Sequence, residues 1–289
     1  MHMLRGAGIR DAYENAKRAC KADLTSREAG DAIVNLATLS LRFLEAQATL
    51  IDLVSRVPGK EYVTYKRNSV VARPANKRFF LRNEREVLAL WESWRNQDIE
   101  PTKLAEVSYT VALGPCLAME LLDRGNKKGP ATYFEYLIGH IVARALRSNP
   151  KKRAVLPIRG RSVQMTMDFL FDMGSGRPGI HMPVKMSTRE RVVQAWSHQR
   201  LLDSAYGDGT YKGIMVLFSE TKLNSRSLEV VEICVPDQWL AYQSLLATLD
   251  RIYYFDVPER YRVLTETFPD LIQIRQIGEF FSKPEAVLV

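Results

Sequence analysis

With 289 residues, 46% of them hydrophobic and 26% charged, the chain has an ordinary globular composition and ample material for a core, which excludes a disordered or low-complexity class. Three scattered cysteines, Cys20, Cys116 and Cys234, exclude a disulfide framework and a cysteine-built metal site and suit a reducing cytoplasm. The net charge of +8 is modest, and no apolar run is expected to reach the length of a membrane span, so the informative quantity is where the basic residues fall.

Met1-His2-Met3 reads as a cloning remnant, and no signal peptide is expected after it. Residues 9–57 are rich in Ala and Leu and free of proline until Pro58. That predicts helices with a break at 24–26, the second running through Phe43 and Leu53. Basic residues then crowd together, with nine Lys or Arg against two Glu over 56–85. Helical spacing resumes at 82–94, where Trp91 and Trp94 share a face as core residues, and again at 104–122, where Gly114-Pro115 predicts a break. A polar loop at 125–130 leads into an amphipathic helix over 132–146. Glu135 sits near its start, where an acid suits the helix dipole, and His140 is expected to be structural. A second basic block follows, with seven Lys or Arg and no acid over 144–161. Such blocks suit phosphate contacts, which supply salt-dependent affinity without choosing sequence, although solubility accounts for either block as well.

The stretch 165–199 organises the rest. Residues 165–171 and 180–186 have strand character and are joined by Gly-Ser-Gly-Arg-Pro-Gly at 174–179, which predicts a β-hairpin with Asp168 and Lys185 on neighbouring strands. Ser187 or Thr188 is then placed to cap a helix whose apolar positions are Val192, Val193, Ala195, Trp196, Leu201 and Leu202. An acid, a lysine and a charged helix start converge on one point. That combination suits metal-assisted phosphodiester hydrolysis: a carboxylate holds a hard cation through oxygen, and an ammonium positions or activates the water that the cation acidifies. Beyond it come a polar loop at 203–210, a continuous apolar run at 213–219 that predicts a buried central strand, and a second such run at 228–235. A helix from Pro236, with Asp237 as a capping residue, is expected to run through Trp239, Leu246 and Ile252. A further strand is expected at 253–255, and alternating helix and strand at 261–281. This succession implies an α/β architecture, a mixed sheet covered by helices.

Asp168 on one strand, Lys185 on the next and Glu135 on the preceding helix resemble the pattern of the PD-(D/E)xK nucleases, specifically type II restriction endonucleases. The position two before the lysine is Pro183, where that family usually has an acid. The run Lys185-Met-Ser-Thr-Arg189-Glu190-Arg191, with Gln194 three residues on, resembles the Lys-x-x-x-Arg-(Asp/Glu)-Arg motif of a branch that reads sites with a CCGG, CCNGG or CCWGG core. That branch relocates the second carboxylate to the following helix, where this chain has His198 and Gln199. Either stands in as a neutral ligand or water holder, and Glu190 is the other alternative. The resemblance covers roughly 129–203.

It implies a restriction-endonuclease-like core with a mixed central sheet flanked by helices, plus a helical N-terminal region. Residues 1–125 would supply DNA or dimer contacts and 126–289 the catalytic core, as two parts or one continuous domain. The implied activity is Mg²⁺-dependent cleavage of double-stranded DNA at a palindromic site with a CC/GG-containing core. Asp168 and Glu135 would serve the metal and Lys185 the attacking water. Arg189, Glu190, Arg191 and Gln194 would read bases, with Arg bidentate to guanine and Glu accepting from cytosine. A palindromic site implies a homodimer or higher homo-oligomer. The resemblance also implies a cognate DNA methyltransferase as a functional partner but not a stable subunit, cytoplasmic localisation and no membrane. The alternatives are a protein of this fold that binds a DNA sequence without cutting, and a nuclease with little sequence preference.

Overall fold

In the computed structural model, which describes residues 6–126, 128–174, 176–188 and 192–282, the chain forms two compact units. The first comprises Met1–His140 with Thr221–Glu232, and the second Ile141–Glu220 with Ile233–Val289.

The first unit begins with helices α1 (Gly6–Ala22) and α2 (Arg27–Gln47). The break at 24–26 has a local cause. Ser26 leaves the helical conformation and its hydroxyl accepts from the Ala29 N–H, capping α2. The helix does not reach Leu53. It stops at Gln47, and the residues after it form strands β1 (Thr49–Asp52) and β2 (Val54–Ser55), where Thr, Ile and Val favour extended backbone. Strands β3 (Tyr62–Arg67), β4 (Val70–Val71) and β5 (Ala75–Asn76) follow, and β3 pairs antiparallel with β1, β4 and β5. Helix α3 (Glu84–Arg95) is capped by Asn83 and carries the Trp91–Trp94 ring pair, with centroids 5.0 Å apart.

Helix α4 (Pro101–Leu122) is continuous through Gly114-Pro115, contrary to the expected break. Pro115 has no N–H to give the Val111 carbonyl, but the Tyr133 hydroxyl donates to that oxygen at 2.7 Å, so nothing is left unsatisfied there. Among the described residues α4 is the helix long and apolar enough to cross a membrane, which the sequence reading did not expect; nearly all of it is buried within its unit, as in a core helix. Tyr133 belongs to α5 (Lys128–Leu146), which begins inside the predicted loop. His140, also on α5, is structural. Its Nδ1 donates to the Leu24 carbonyl at 2.7 Å, and its ring stacks on Trp91.

The second unit is built on a mixed sheet. Strands β6 (Lys151–Ile158) and β7 (Arg161–Phe171) form an antiparallel hairpin, and β7 pairs antiparallel with β8 (Gly179–Met182). Strand β9 (Val184–Lys185) continues β8 past Pro183. After α6 (Val193–Tyr206), strand β10 (Tyr211–Leu217) runs parallel to both. The predicted central strand is therefore present, and its residues 213–217 are fully buried. The chain then returns to the first unit as β11 (Thr221–Asn224) and β12 (Glu229–Glu232). These join β2 in a small, half-exposed sheet, so the run at 228–235 is not a second central strand.

Back in the second unit, α7 (Pro236–Leu245) ends well before Ile252, which lies on β13 (Arg251–Tyr254). Val235 rather than Asp237 is the N-cap of α7, because Pro236 occupies the first helical turn. Helix α8 (Glu259–Thr267), strand β14 (Ile274–Gln276) and helix α9 (Ile277–Ser282) complete the alternation expected of the tail. The sheet order is β14-β13-β10-β8-β7-β6, with β9 also on β10. Trp196 of α6, Trp239 of α7, Tyr254 and Tyr261 form its aromatic core, and the Trp196 Nε1–H donates to Gln243.

Candidate active site

The hairpin predicted around 174–179 brings Asp168 of β7 and Lys185 of β9 together. The Lys185 ammonium donates to Asp168 Oδ2 at 2.7 Å, and the Val184 N–H donates to the same oxygen at 2.9 Å. Each side chain is about a quarter exposed. A part-exposed ion pair of this kind contributes roughly 0–1 kcal/mol, so stability does not explain why the two are held so closely. Two irregularities aim Asp168. The pairing of β7 with β6 shifts register between Lys151 and Arg153, opposite the segment that contains Asp168, and such bulges re-aim side chains. Pro183 interrupts the neighbouring strand, yet the register with β10 resumes unbroken, from His181↔Gly213 to Lys185↔Leu217. With a side-chain period of two, His181, Pro183 and Lys185 therefore share one face of the sheet.

Helix α6 supplies the other side chains. Gln199 is buried and fully engaged. Its Nε2 donates to the Tyr211 carbonyl at 2.8 Å and to Asp203 Oδ1 at 2.9 Å, while its Oε1 faces His181 Nδ1 at 3.0 Å. Gly213 makes room for it, since a Cβ there would stand 2.8 Å from that amide oxygen. His198 is half-buried, its ring centroid 6.2 Å from that of His181, and Gln194 Nε2 donates to His198 Nε2 over a long 3.5 Å. Burial pushes His181 down to about 4, with the Gln199 hydrogen bond opposing; burial also lowers His198, against the upward pull of Asp168. Both imidazoles are thus neutral at pH 7.

Glu135 lies half-buried on α5, in the first unit. Arg189, Glu190 and Arg191 lie outside the described residues. The helix expected to start at Ser187 or Thr188 is described only from Val193, and Thr188 instead gives its N–H to the carboxylate of Glu220, at 3.0 and 3.2 Å. Glu220 is buried and also accepts from the Tyr254 hydroxyl at 3.0 Å. It anchors the chain one residue before Arg189.

Sequence reading missed both Glu220 and His181. The first has no local signal, because its role depends on a partner 32 residues away. The second was signalled by its even spacing from Lys185 on one strand face. Among the described residues no three His, Cys, Asp or Glu side chains gather as a ready metal cage. The donor set nevertheless suits a divalent cation completed by water and phosphate: the Asp168 carboxylate is about a quarter exposed, and His181 Nε2 is buried without a hydrogen-bond partner among the described residues.

This architecture is similar to that of a solved nuclease. The type IIP restriction endonuclease Kpn2I matches with a TM-score of 0.81 at 22% sequence identity, over 96% of this chain and 96% of that one. The restriction endonuclease PspGI, solved as a complex with substrate DNA, matches with a TM-score of 0.46 at 13% identity, over 71% of this chain and 92% of that one. No protein-family model matches the sequence, and no curated protein does. At 22% identity the likeness to Kpn2I is one of fold, and the mixed α/β class expected from the sequence is the class observed.

Proposed function

We propose that this chain is a type II restriction endonuclease that cleaves both strands of DNA, with Mg²⁺, at a palindromic site with a CC/GG-containing core. The observation that carries the reading is the Asp168–Lys185 pair on adjacent strands, in a sheet whose fold is similar to that of a type IIP restriction endonuclease. Asp168 would hold the cation, with Glu135 in support. The chemistry supplied when such an ion is bound is polarisation of the scissile phosphate and a lowered pKa for a bound water. Lys185, kept beside Asp168, orients that water and donates to the phosphate. His198 and Gln194 border the site from α6. Arg189, Glu190 and Arg191 follow the segment anchored by Glu220 and read adjacent G·C pairs in the major groove, the arginines on guanine and the glutamate on cytosine.

Residues 1–125 supply DNA or dimer contacts in this reading. Two-fold recognition calls for a homodimer or a higher homo-oligomer. Restriction in a cytoplasm calls for a cognate methyltransferase acting separately to protect host DNA. A sequence-specific binder that does not cut is the second reading, favoured by Pro183 standing where an acid is expected. Phage DNA of known sequence, incubated with and without Mg²⁺ and sequenced at its fragment ends, separates the two. Discrete Mg²⁺-dependent ends that share a palindromic core are expected. Intact DNA over a range of salt concentrations would favour the binder, and a smear of unrelated ends would point to an unspecific nuclease.

A further inference from the structure

The amide of Gln199 fixes the proton on His181. Its Nε2 lies between two acceptors, the Tyr211 carbonyl and the Asp203 carboxylate, so its Oε1 must be the atom that faces His181. An amide oxygen only accepts, and His181 Nδ1 must therefore carry the hydrogen. The other ring nitrogen, Nε2, is then a bare lone pair. It is completely buried and has no hydrogen-bond partner among the described residues. A buried acceptor left unmet destabilises a fold unless something satisfies it. An imidazole whose Nδ1–H is held by an oxygen while Nε2 is bare is also how proteins present histidine to a metal.

His181 shares its strand face with Lys185, which is bonded to Asp168, and stands two residues from Pro183, where the sequence lacks an acid. The register Leu170↔His181 places Asp168, two residues from Leu170, diagonally across from His181 at roughly 7–8 Å. That separation lets an imidazole and a carboxylate reach toward one ion.

We propose that His181, oriented by Gln199, supplies through Nε2 the second protein ligand of the divalent cation held by Asp168, in place of the carboxylate missing at Pro183. The inference rests on the reading of this site as a metal-dependent nuclease centre. It makes Gln199 a positioning residue and the site a mixed nitrogen and oxygen one, which suits Mn²⁺ or Co²⁺ better than an all-oxygen site would.

The test is pulsed EPR of the full chain loaded with Mn²⁺ alone, for ¹⁴N hyperfine coupling from a coordinated imidazole. Coupling is expected in the native protein and in His198→Gln, converting to the ¹⁵N pattern on ¹⁵N-histidine labelling. It is expected to vanish in His181→Gln, with Mn²⁺ affinity falling about 10–100-fold. Should His181→Gln fail to fold, the labelling pattern together with its persistence in His198→Gln still assigns the ligand. Bound Mn²⁺ without nitrogen coupling, or coupling lost in His198→Gln, overturns the proposal. Cleavage of phage DNA with Mn²⁺, run in parallel, separates the two claims: cutting without nitrogen coupling sinks the ligand assignment alone, whereas no Mn²⁺ binding and no cutting sinks the nuclease reading with it.

Discussion

Lys185 and Asp168 illustrate how much a pair of residues says once the strands are known. Seventeen positions apart in the sequence, they meet at 2.7 Å because a glycine-rich turn closes the hairpin between them. That meeting was legible from turn chemistry and strand character. His181 carried only the weak signal of its even spacing from Lys185, and a lone histidine among apolar residues in a strand reads as core until its amide partner on another element is seen. Lys185→Ala is expected to slow DNA cleavage by about 10²–10⁴-fold, the range for losing a proton-handling group, while target binding by gel shift and the thermal midpoint stay close to native. Loss of duplex binding in that variant would refute the division between cutting and recognition. Arg189→Ala should do the reverse, costing about 1–3 kcal/mol of specific binding for one guanine contact and leaving the fold intact. The thiols make a simpler case. All three are buried, and burial pushes Cys20 and Cys116 up to about 12, so at pH 8 only about one in 10⁴ of either is thiolate. Iodoacetamide followed by mass spectrometry should leave these two unmodified in the native protein and label them after denaturation.

Elements were read best where a local signal ends them. Ser26 caps the start of α2, and the alternation of helix and strand after Pro236 follows the punctuation by proline and polar residues. Reading failed where a partner distant in sequence overrides the local rule. Pro115 should have broken α4, but the Tyr133 hydroxyl takes over the carbonyl that the proline orphans. Tyr133→Phe is accordingly expected to destabilise the protein by about 1–3 kcal/mol, measured by urea unfolding, since it strands a buried acceptor. A smaller cost than 0.5 kcal/mol would mean that α4 tolerates Pro115 unaided. Strand β6 was hidden for another reason: its first residues, Lys151, Lys152 and Arg153, are exposed and charged, and a strand with a solvated end carries little apolar alternation. The anchoring of Thr188 by Glu220 belongs to the same class of distant effects. Glu220→Ala should free the segment that carries Arg189, Glu190 and Arg191 and lower the ratio of specific to nonspecific duplex affinity, with little change in nonspecific binding.

Across the whole molecule, the two basic blocks look alike in composition but differ in setting. In the first, Arg56, Lys60, Arg73 and Lys77 are paired with Glu229, Glu232, Glu120, Asp52 and Glu61, so much of its charge is internal to its unit. In the second, Lys151 pairs with Asp172 and Arg153 with Gln164, while Arg159 and Arg161 are exposed at the tip of the β6–β7 hairpin, beside the exposed apolar Val155, Ile158 and Val163. Composition could not separate these cases, because ion pairing is a property of the folded chain. If the hairpin meets phosphates, Arg159→Ala and Arg161→Ala should each reduce the slope of log K against log salt by about 1 for any duplex, whereas Arg56→Ala should leave it unchanged. Equal slopes in all three would remove the hairpin from the DNA-binding surface. The excursion of the chain through β11 and β12 has a consequence of a different kind. The first unit is finished only by a segment encoded after β10, so a gene fragment ending at residue 140 lacks β12, the strand that pairs with β2, and a fragment starting at 141 carries the β11–β12 hairpin without β2. A cut between residues 140 and 141 therefore separates β2 from its partner strand, and an end-to-end exchange of either half leaves the first unit incomplete.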